Sequence, residues 1–119
     1  MVEDETLILL ELEDFLIAEG FEVLSASHGT KALSEIAKDV ERFSGLVTDI
    51  RLGKGPDGWD LARKIRELAP GMPVVYMSGD SARDWAARGV PESVMLHKPF
   101  VSAQLMTAIG TLLNRSDEP

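Results

Sequence analysis

The sequence of 119 residues contains no cysteine. Disulfides, thiolate nucleophiles and cysteine-ligated zinc or iron–sulfur sites are therefore all excluded. The chain also lacks any apolar run close to the roughly 20 residues of a membrane span. Its acidic start has no basic region followed by an apolar stretch, as a secretory signal would have. These absences predict a soluble, cytoplasmic protein that does not bind membranes.

Positive charge is also scarce. Lys and Arg number 12 against 20 Asp and Glu, so the formal net charge is −8. This balance argues against nucleic acid and anionic membrane surfaces as partners, because both attract basic patches. With 45% hydrophobic residues the composition is that of an ordinary folded protein. The length suits one domain, which we predict over residues 1–119 with no output domain.

Two sequence patterns alternate along the chain. Apolar residues at helical spacing, with stop signals such as Gly20, alternate with short apolar runs typical of buried strands. Such alternation indicates an α/β fold in which helices cover both faces of a parallel sheet. The predicted helices are 6–19, 30–40, 59–68, 82–88 and 102–114, and the predicted strands are 21–26, 45–48, 74–77 and 93–97, preceded by a very short first strand.

Polar side chains stand where the predicted strands end. They are Glu3 and Asp4 after the first strand, Asp49 after the third, Ser78 after the fourth and Lys98 after the fifth. Functional groups gather at the carboxyl ends of parallel strands, so these side chains are expected to meet at one edge of the sheet. Crowded carboxylates repel each other unless a cation intervenes. Mg²⁺ typically binds carboxylates, waters and a phosphate oxygen, so the pattern predicts a magnesium site that receives a phosphoryl group.

Together these pieces resemble the receiver domain of two-component response regulators. The motifs are Glu3-Asp4 before Glu5, Asp49 at the end of a hydrophobic strand, Ser78-Gly79 and Lys98-Pro99-Phe100. Each motif is weak alone, but all four occur in the right order over essentially the whole chain. The resemblance implies a flavodoxin-like (βα)5 fold, a doubly wound parallel sheet with strand order 2-1-3-4-5. Only two residues precede the acidic pair, so the first strand is expected to be truncated.

The resemblance also implies a role for each site residue. Asp49 would be the phosphoacceptor, whose carboxylate attacks the phosphorus of a phosphohistidine and forms a covalent intermediate. Lys98 would pair first with Asp49 and then with a phosphoryl oxygen, and the Ser78 hydroxyl would hydrogen-bond the phosphoryl group. The implied magnesium ligands are Asp4 directly, Glu3 through water, Asp49, and the backbone carbonyl of Arg51.

A member of this family is a signalling phosphoacceptor rather than a turnover enzyme. The implied partners are a sensor histidine kinase or a histidine phosphotransfer protein, and a downstream protein that receives the signal. Whether the domain forms a homodimer is left open. Two alternatives also remain: a pseudo-receiver that binds partners without phosphorylation, and a small phosphatase that works through an aspartyl-phosphate. The phosphatase would need a second catalytic acid, and the sequence offers none besides the metal ligands.

Three further features carry expectations. Arg51 and Asp80 each lie two residues past a site residue, so they either pair and restrict water or remain two solvated charges. Residues 7–10 are apolar all round, so they form either a docking patch for the phosphodonor or part of the core. The short first strand predicts impaired stability, because buried backbone groups left unsatisfied cost about 1–3 kcal/mol each.

Overall fold

The computed structural model describes residues 1–3, 5–53, 55–80 and 82–116, without the side chains of residues 82, 115 and 116. From residue 29 onward helices and strands alternate along these residues, as the sequence predicts. The helices are α1 (Thr6–Ala18), α2 (Gly29–Lys38), α3 (Gly58–Leu68), α4 (Trp85–Arg88) and α5 (Ser102–Ser116). The strands are β1 (Leu46–Asp49), β2 (Val74–Ser78) and β3 (Ser93–His97). Short 3-10 turns span Val40–Arg42 and Ala82–Asp84.

A parallel sheet lies between the helices. Strand β2 pairs with β1 on one side and with β3 on the other, in a register that aligns Asp49 with Met77 and Ser78 with His97. Every residue of β1 and β2 is buried, as expected for parallel strands covered on both faces. The predicted α/β fold with a parallel sheet is therefore confirmed.

Two apolar clusters cover the two faces of the sheet. Along β2, Val74 and Tyr76 point into the cluster formed with α2 and α3, whereas Val75 and Met77 point into the cluster formed with α1 and α5. This alternation follows from the two-residue period of a strand. In the first cluster the rings of Trp59 and Tyr76 lie 4.8 Å apart. The helices thus hold the strands from both sides and leave the carboxyl ends of the strands at one edge.

The N-terminal part of the sheet is less regular than predicted. Val2 forms one parallel bridge to Ala26 and another to Thr48, so it lies where the order 2-1-3-4-5 puts the first strand. The regular ladder of the described residues nevertheless comprises only β1, β2 and β3, and the five-strand order stays a prediction. The predicted strand at 21–26 was wrong in extent. The one bridge there joins Ala26 to Val2, and the Leu24 carbonyl accepts a hydrogen bond from the Met1 amino group at 2.8 Å.

The helices follow the predicted segments, with differences at their ends. Helix α2 ends at Lys38 and is followed by a separate 3-10 turn, and the predicted helix at 82–88 is divided into a 3-10 turn and α4. Such tighter turns are common where helices are short. In the described part of the chain, no helix has the length and apolar character that crossing a membrane requires.

Helix α3 begins with a capping box. The Asp57 Oδ1 accepts the Asp60 N–H at 2.9 Å, and the Asp60 Oδ2 accepts the Asp57 N–H at 3.4 Å. Because this cap satisfies donors of the first turn, we expect Asp57→Ala to lower the free energy of unfolding by about 1 kcal/mol in a urea titration. Glu5→Ala is the matched control, since Glu5 precedes α1 without a side-chain cap. Equal losses in the two variants would contradict this assignment.

Candidate functional site

The carboxyl ends of the strands bring three predicted site residues together. Asp49 ends β1, Ser78 ends β2, and Lys98 directly follows β3. Backbone pairing continues past the strand ends, since the Ile50 N–H donates to the Met77 carbonyl at 3.2 Å and the Lys98 N–H donates to the Ser78 carbonyl at 2.7 Å. The parallel register therefore holds a carboxylate, a hydroxyl and an ammonium at one edge, as predicted.

The Asp49 carboxylate is held through both oxygens. Its Oδ1 accepts the N–H of Ile50 at 2.9 Å, and its Oδ2 accepts a hydrogen bond from the Lys98 Nζ at 3.1 Å. The Thr48 hydroxyl donates to the Asp49 carbonyl at 2.8 Å and braces the backbone at this point. The Asp49 side chain remains 12% exposed, so it is oriented by the protein and still reachable from solvent.

Lys98 is shared between two carboxylates. Its Nζ lies 2.8 Å from the Glu3 Oε2 and 3.1 Å from the Asp49 Oδ2. Glu3 is fully buried, and its Oε1 accepts the Glu5 N–H at 3.2 Å. Burial lowers the pKa of Lys98, but the hydrogen bond to Glu3 and the charge of Asp49 outweigh that effect, and the pKa is raised overall. The contact between Glu3 and Lys98 joins residues 95 positions apart in the sequence. The sequence placed both at one edge of the sheet but predicted a pairing of Lys98 with Asp49 only.

The described site has more negative than positive charge. Two carboxylates, Glu3 and Asp49, face the single ammonium of Lys98. The third predicted carboxylate, Asp4, lies outside the described residues, and within those described no group of three or more acidic, His or Cys side chains converges. Carboxylate oxygens are ligands that Mg²⁺ prefers, and a divalent cation relieves excess negative charge. The donor set therefore fits a magnesium site, with the Arg51 carbonyl still a predicted ligand.

Ser78 and the loop after it border this site. Ser78 is buried, and its Oγ accepts the Asp80 N–H at 3.2 Å. At the rim, the Arg51 Nη2 lies 2.9 Å from the Asp80 Oδ2, which confirms that these two residues pair. Their side chains are 77% and 55% exposed, so the pair is worth only about 0–1 kcal/mol in stability. Its effect on the site chemistry stays a prediction.

Gly58 also belongs to the site, although the sequence gives it no obvious role. A Cβ at this position would collide with the backbone carbonyl oxygen of Asp49 and would lie 2.9 Å from the Ile50 Cα. The Gly58 N–H donates to the Ile50 carbonyl at 2.7 Å. A glycine therefore lets the start of α3 pack directly against the end of β1.

The apolar run at the start of α1 is divided between surface and core. Leu7 is 78% exposed and Leu10 is 50% exposed, whereas Ile8 packs against the core cluster of α1 and α5. The core interpretation therefore applies to Ile8, whereas docking of the phosphodonor on the exposed Leu7 and Leu10 stays a prediction. Because α1 begins at Thr6, the exposed leucines lie on the helix that follows Glu3 in the chain.

Comparison with known proteins agrees with this geometry. The family model for the response regulator receiver domain matches residues 1–110. A crystal structure of a response regulator receiver protein from Sinorhizobium medicae is 46% identical, with a TM-score of 0.93 over 98% of this chain and 93% of that one. A receiver domain structure from Clostridium thermocellum is 30% identical, with a TM-score of 0.86 over 96% and 91% of the two chains. The likeness confirms the predicted flavodoxin-like fold.

Curated relatives contain the same domain within longer proteins. A response regulator receiver protein from Anaeromyxobacter is 34% identical over 111 residues, which are 93% of this chain and 43% of the relative. The transcriptional regulatory protein PrrA of Mycobacterium tuberculosis is 32% identical over 117 residues, which are 97% and 49% of the two chains. The chain thus spans about half the length of the curated relatives that it matches. With the family model matched over nearly its whole length, this chain belongs to the receiver domains of response regulators.

Proposed function

We propose that this receiver domain accepts a phosphoryl group on Asp49 from a phosphohistidine of a partner protein and signals by binding another protein. The observation that carries this proposal is the Asp49 carboxylate, which is oriented by the Ile50 N–H and the Lys98 ammonium. The side chain is nevertheless 12% exposed. A nucleophile for phosphoryl transfer needs both orientation and access.

The proposed transfer is a displacement at phosphorus. A carboxylate oxygen of Asp49 forms a bond to phosphorus while the bond between phosphorus and the partner's imidazole nitrogen breaks. The imidazole leaves and takes up a proton at that nitrogen. Negative charge on the phosphoryl oxygens is stabilised by the Lys98 ammonium, and the Ser78 hydroxyl donates a hydrogen bond to one of them. Catalysis then consists of positioning and charge stabilisation.

We propose that the reaction depends on Mg²⁺. Its protein ligands are Asp4 and Asp49, the backbone carbonyl of Arg51, and Glu3 through water. When bound, the ion neutralises negative charge on the carboxylates and on the phosphoryl group. The support from the described residues is that Glu3 and Asp49 share a single ammonium, so the site has an unbalanced negative charge before the phosphoryl group arrives.

The proposed phosphodonor is a sensor histidine kinase or a histidine phosphotransfer protein, which this domain meets in the cytoplasm. Leu7, Leu10 and Ile17 support this, because they are at least half exposed and recur at helical spacing along one side of α1. Apolar side chains on a helix next to the site suit docking of a helical partner. The downstream partner is a further protein, and the net charge of −8 gives no support to direct binding of nucleic acid by this domain.

Phosphorylation is tested by mass spectrometry of the intact chain. After incubation with acetyl phosphate and Mg²⁺, we expect one phosphoryl adduct, which is absent in Asp49→Ala and when EDTA removes the metal. Asp39→Ala is the control, since Asp39 is an exposed acid beyond the end of α2. A folded wild-type chain that gains no adduct would favour the pseudo-receiver, and turnover of the donor well beyond one equivalent would favour the phosphatase.

The pair of Arg51 and Asp80 is expected to slow the loss of the phosphoryl group. The two side chains lie 2.9 Å apart at the rim of the site, where they would restrict the approach of water. Arg51→Ala should raise the rate of dephosphorylation about threefold, which corresponds to about 0.6 kcal/mol and is typical of an exposed pair. The decay of the adduct after donor removal measures this rate. Arg63→Ala removes a similar exposed pair on α3 and serves as control. An unchanged rate in Arg51→Ala would rule out this role.

A further inference from the structure

One polar side chain of β1 points into an apolar cluster. Thr48 is fully buried. Because the side chains of a strand alternate between its two faces, Thr48 lies on the same side of β1 as Leu46, which belongs to the cluster formed with α2 and α3. Its neighbour across the ladder to β2 is Tyr76, from the same cluster. Burial of a hydroxyl among apolar groups is costly unless it is hydrogen-bonded, and a valine of the same shape would avoid this cost, so packing alone does not account for the hydroxyl.

The Thr48 hydroxyl is bonded to the backbone of the residue that carries the candidate nucleophile. Its Oγ1 donates to the Asp49 carbonyl oxygen at 2.8 Å, and this bond is buried. The same oxygen lies against the start of α3, where a Cβ on Gly58 would collide with it. The Asp49 carbonyl oxygen therefore contacts both a hydroxyl donor and the backbone of a helix, which together limit its position closely.

The peptide unit between Asp49 and Ile50 links this bond to the carboxylate. The Asp49 carbonyl and the Ile50 N–H belong to one planar unit. The carbonyl accepts the Thr48 hydroxyl, and the N–H donates to the Asp49 Oδ1 at 2.9 Å. Because the unit is rigid, a bond that holds its carbonyl also fixes the direction of its N–H. A hydrogen bond to the carbonyl also polarises the unit and makes the N–H a stronger donor.

The orientation of the whole Asp49 carboxylate depends on this peptide unit. Its two oxygens are bonded to the same carbon, so a hydrogen bond that fixes Oδ1 also sets the direction of Oδ2. Oδ2 is the oxygen that accepts a hydrogen bond from the Lys98 Nζ at 3.1 Å. Phosphoryl transfer depends strongly on the alignment of the reacting atoms, so a small rotation of the carboxylate lowers the rate.

We propose that Thr48 is a positioning residue for phosphoryl transfer, whose hydroxyl holds the Asp49 carboxylate in its attacking orientation through the peptide unit that follows Asp49. This role rests on the proposed function, in which Asp49 accepts the phosphoryl group. Thr48 does not contact the phosphoryl group, because its side chain lies in the cluster of α2 and α3 and its hydroxyl is directed at the Asp49 carbonyl. Loss of the hydroxyl should therefore slow the transfer without weakening the binding of the phosphodonor.

Two pairs of side chains isolate the hydroxyl. Thr48→Val keeps the shape of threonine without the hydroxyl, and Thr48→Ser differs from Thr48→Ala by the hydroxyl alone. The rate of adduct formation is measured by intact mass over a range of acetyl phosphate concentrations with Mg²⁺. Thr48→Val should lower the maximal rate about tenfold, which corresponds to about 1.4 kcal/mol and to the loss of one hydrogen bond. The half-saturating concentration of acetyl phosphate should stay within about twofold of the wild type.

The rate should follow the hydroxyl and not the stability of the fold. Thr48→Ser should keep a maximal rate within about twofold of the wild type. Its urea midpoint should nevertheless fall, because it loses a buried methyl group. Thr48→Ala should react about tenfold more slowly than Thr48→Ser. Thr107→Val is the control, since the Thr107 hydroxyl donates to the Ala103 carbonyl on an exposed part of α5 and its loss should leave the rate unchanged.

The amide resonance of Ile50 tests the orientation of the carboxylate without any phosphodonor. Thr48→Val should move this proton resonance upfield, in the same direction as Asp49→Ala, because both changes weaken the bond from the Ile50 N–H to the Asp49 Oδ1. Thr48→Ser and Thr107→Val should leave it in place.

The proposal is overturned if Thr48→Val reaches the maximal rate of the wild type, if Thr48→Ser is as slow as Thr48→Val, or if the Ile50 resonance does not move in Thr48→Val. A higher half-saturating concentration at an unchanged maximal rate would assign Thr48 to donor binding and would also overturn it. Should Thr48→Val not fold, the comparison of Thr48→Ala with Thr48→Ser decides in its place. A folded wild-type chain that gains no adduct would refute the proposed function, and the Ile50 resonance would then decide alone whether Thr48 orients the carboxylate.

Discussion

Gly58→Ala is expected to abolish phosphorylation of Asp49 and to lower the free energy of unfolding by about 1–3 kcal/mol. A methyl group at this position would collide with the Asp49 carbonyl oxygen and press on the Ile50 Cα. Both obstacles are backbone atoms, so no side-chain rotation relieves the overlap. The end of β1 must move, and the carboxylate then leaves the positions of the Ile50 N–H and the Lys98 ammonium.

Two measurements test this expectation. Urea denaturation gives the change in stability, and the intact-mass assay with acetyl phosphate and Mg²⁺ gives the loss of phosphoryl acceptance. Gly71→Ala is the matched control, because a Cβ on Gly71 would meet no heavy atom within 4 Å. It should stay near the wild type in both assays. A Gly58→Ala chain that is phosphorylated at the wild-type rate would show that the close packing of α3 on β1 is not needed for the reaction.

Lys98→Met is expected to lower the free energy of unfolding at neutral pH by about 3 kcal/mol and to abolish phosphorylation. Removing one partner of a buried ion pair leaves the remaining charge without compensation, which typically costs 3–5 kcal/mol. The lower end of this range applies because the Lys98 side chain is 21% exposed to solvent. Both Glu3, fully buried, and Asp49 lose their cation in this variant. Methionine keeps the length of the side chain, so the missing charge is the main change.

Matched variants separate this effect from a general loss of charge. Lys38→Met removes an exposed lysine paired with Glu35 and should change stability by less than about 0.5 kcal/mol. In a Glu3→Gln background, Lys98→Met should lower the free energy of unfolding by less than in the wild type. The side chain at position 3 is neutral there, so only the Asp49 carboxylate loses its cation. Additive effects of the two substitutions would contradict the shared ion pair.

The pH dependence of the difference between wild type and Lys98→Met has a defined sign. Burial lowers the pKa of Lys98, but Glu3 and Asp49 raise it more, so the folded-state pKa lies above the ordinary value of 10.5. A group whose pKa is raised by folding contributes fully below its unfolded pKa. The contribution of Lys98 should therefore be constant up to about pH 10 and should decrease as the pH rises through the higher folded-state pKa. Denaturation at neutral and alkaline pH measures it.

Much of the site was predictable because it depends on local sequence. Asp49 and Ser78 each end an apolar run typical of a buried strand, and Lys98 follows another such run. Their positions along the chain therefore suffice to place them at strand ends. Parallel pairing then brings all strand ends to the same edge. The helices were predicted for a similar reason, since a 3.6-residue period of apolar positions is a local property.

Contacts between distant segments were not predictable in this way. Strand-end positions predicted that Glu3 and Lys98 lie at one edge, but not that they form an ion pair across 95 residues of sequence. The approach of Gly58 to Asp49 depends on how α3 packs against β1. The limited extent of pairing at 21–26 has the same origin, because a strand exists only where a neighbour offers backbone partners. Ala26 bridges Val2 through backbone bonds to Met1 and Glu3.

The sequence by itself determined the fold class, the order of the elements and the identity of the residues at the strand ends. Each of these depends on the local spacing of apolar residues and on the polar residues that follow an apolar run. Only the tertiary structure decided that one ammonium serves two carboxylates and that a glycine lies against the backbone of Asp49. These features arise from packing between segments far apart in the sequence, where distances of a few ångströms depend on the whole fold.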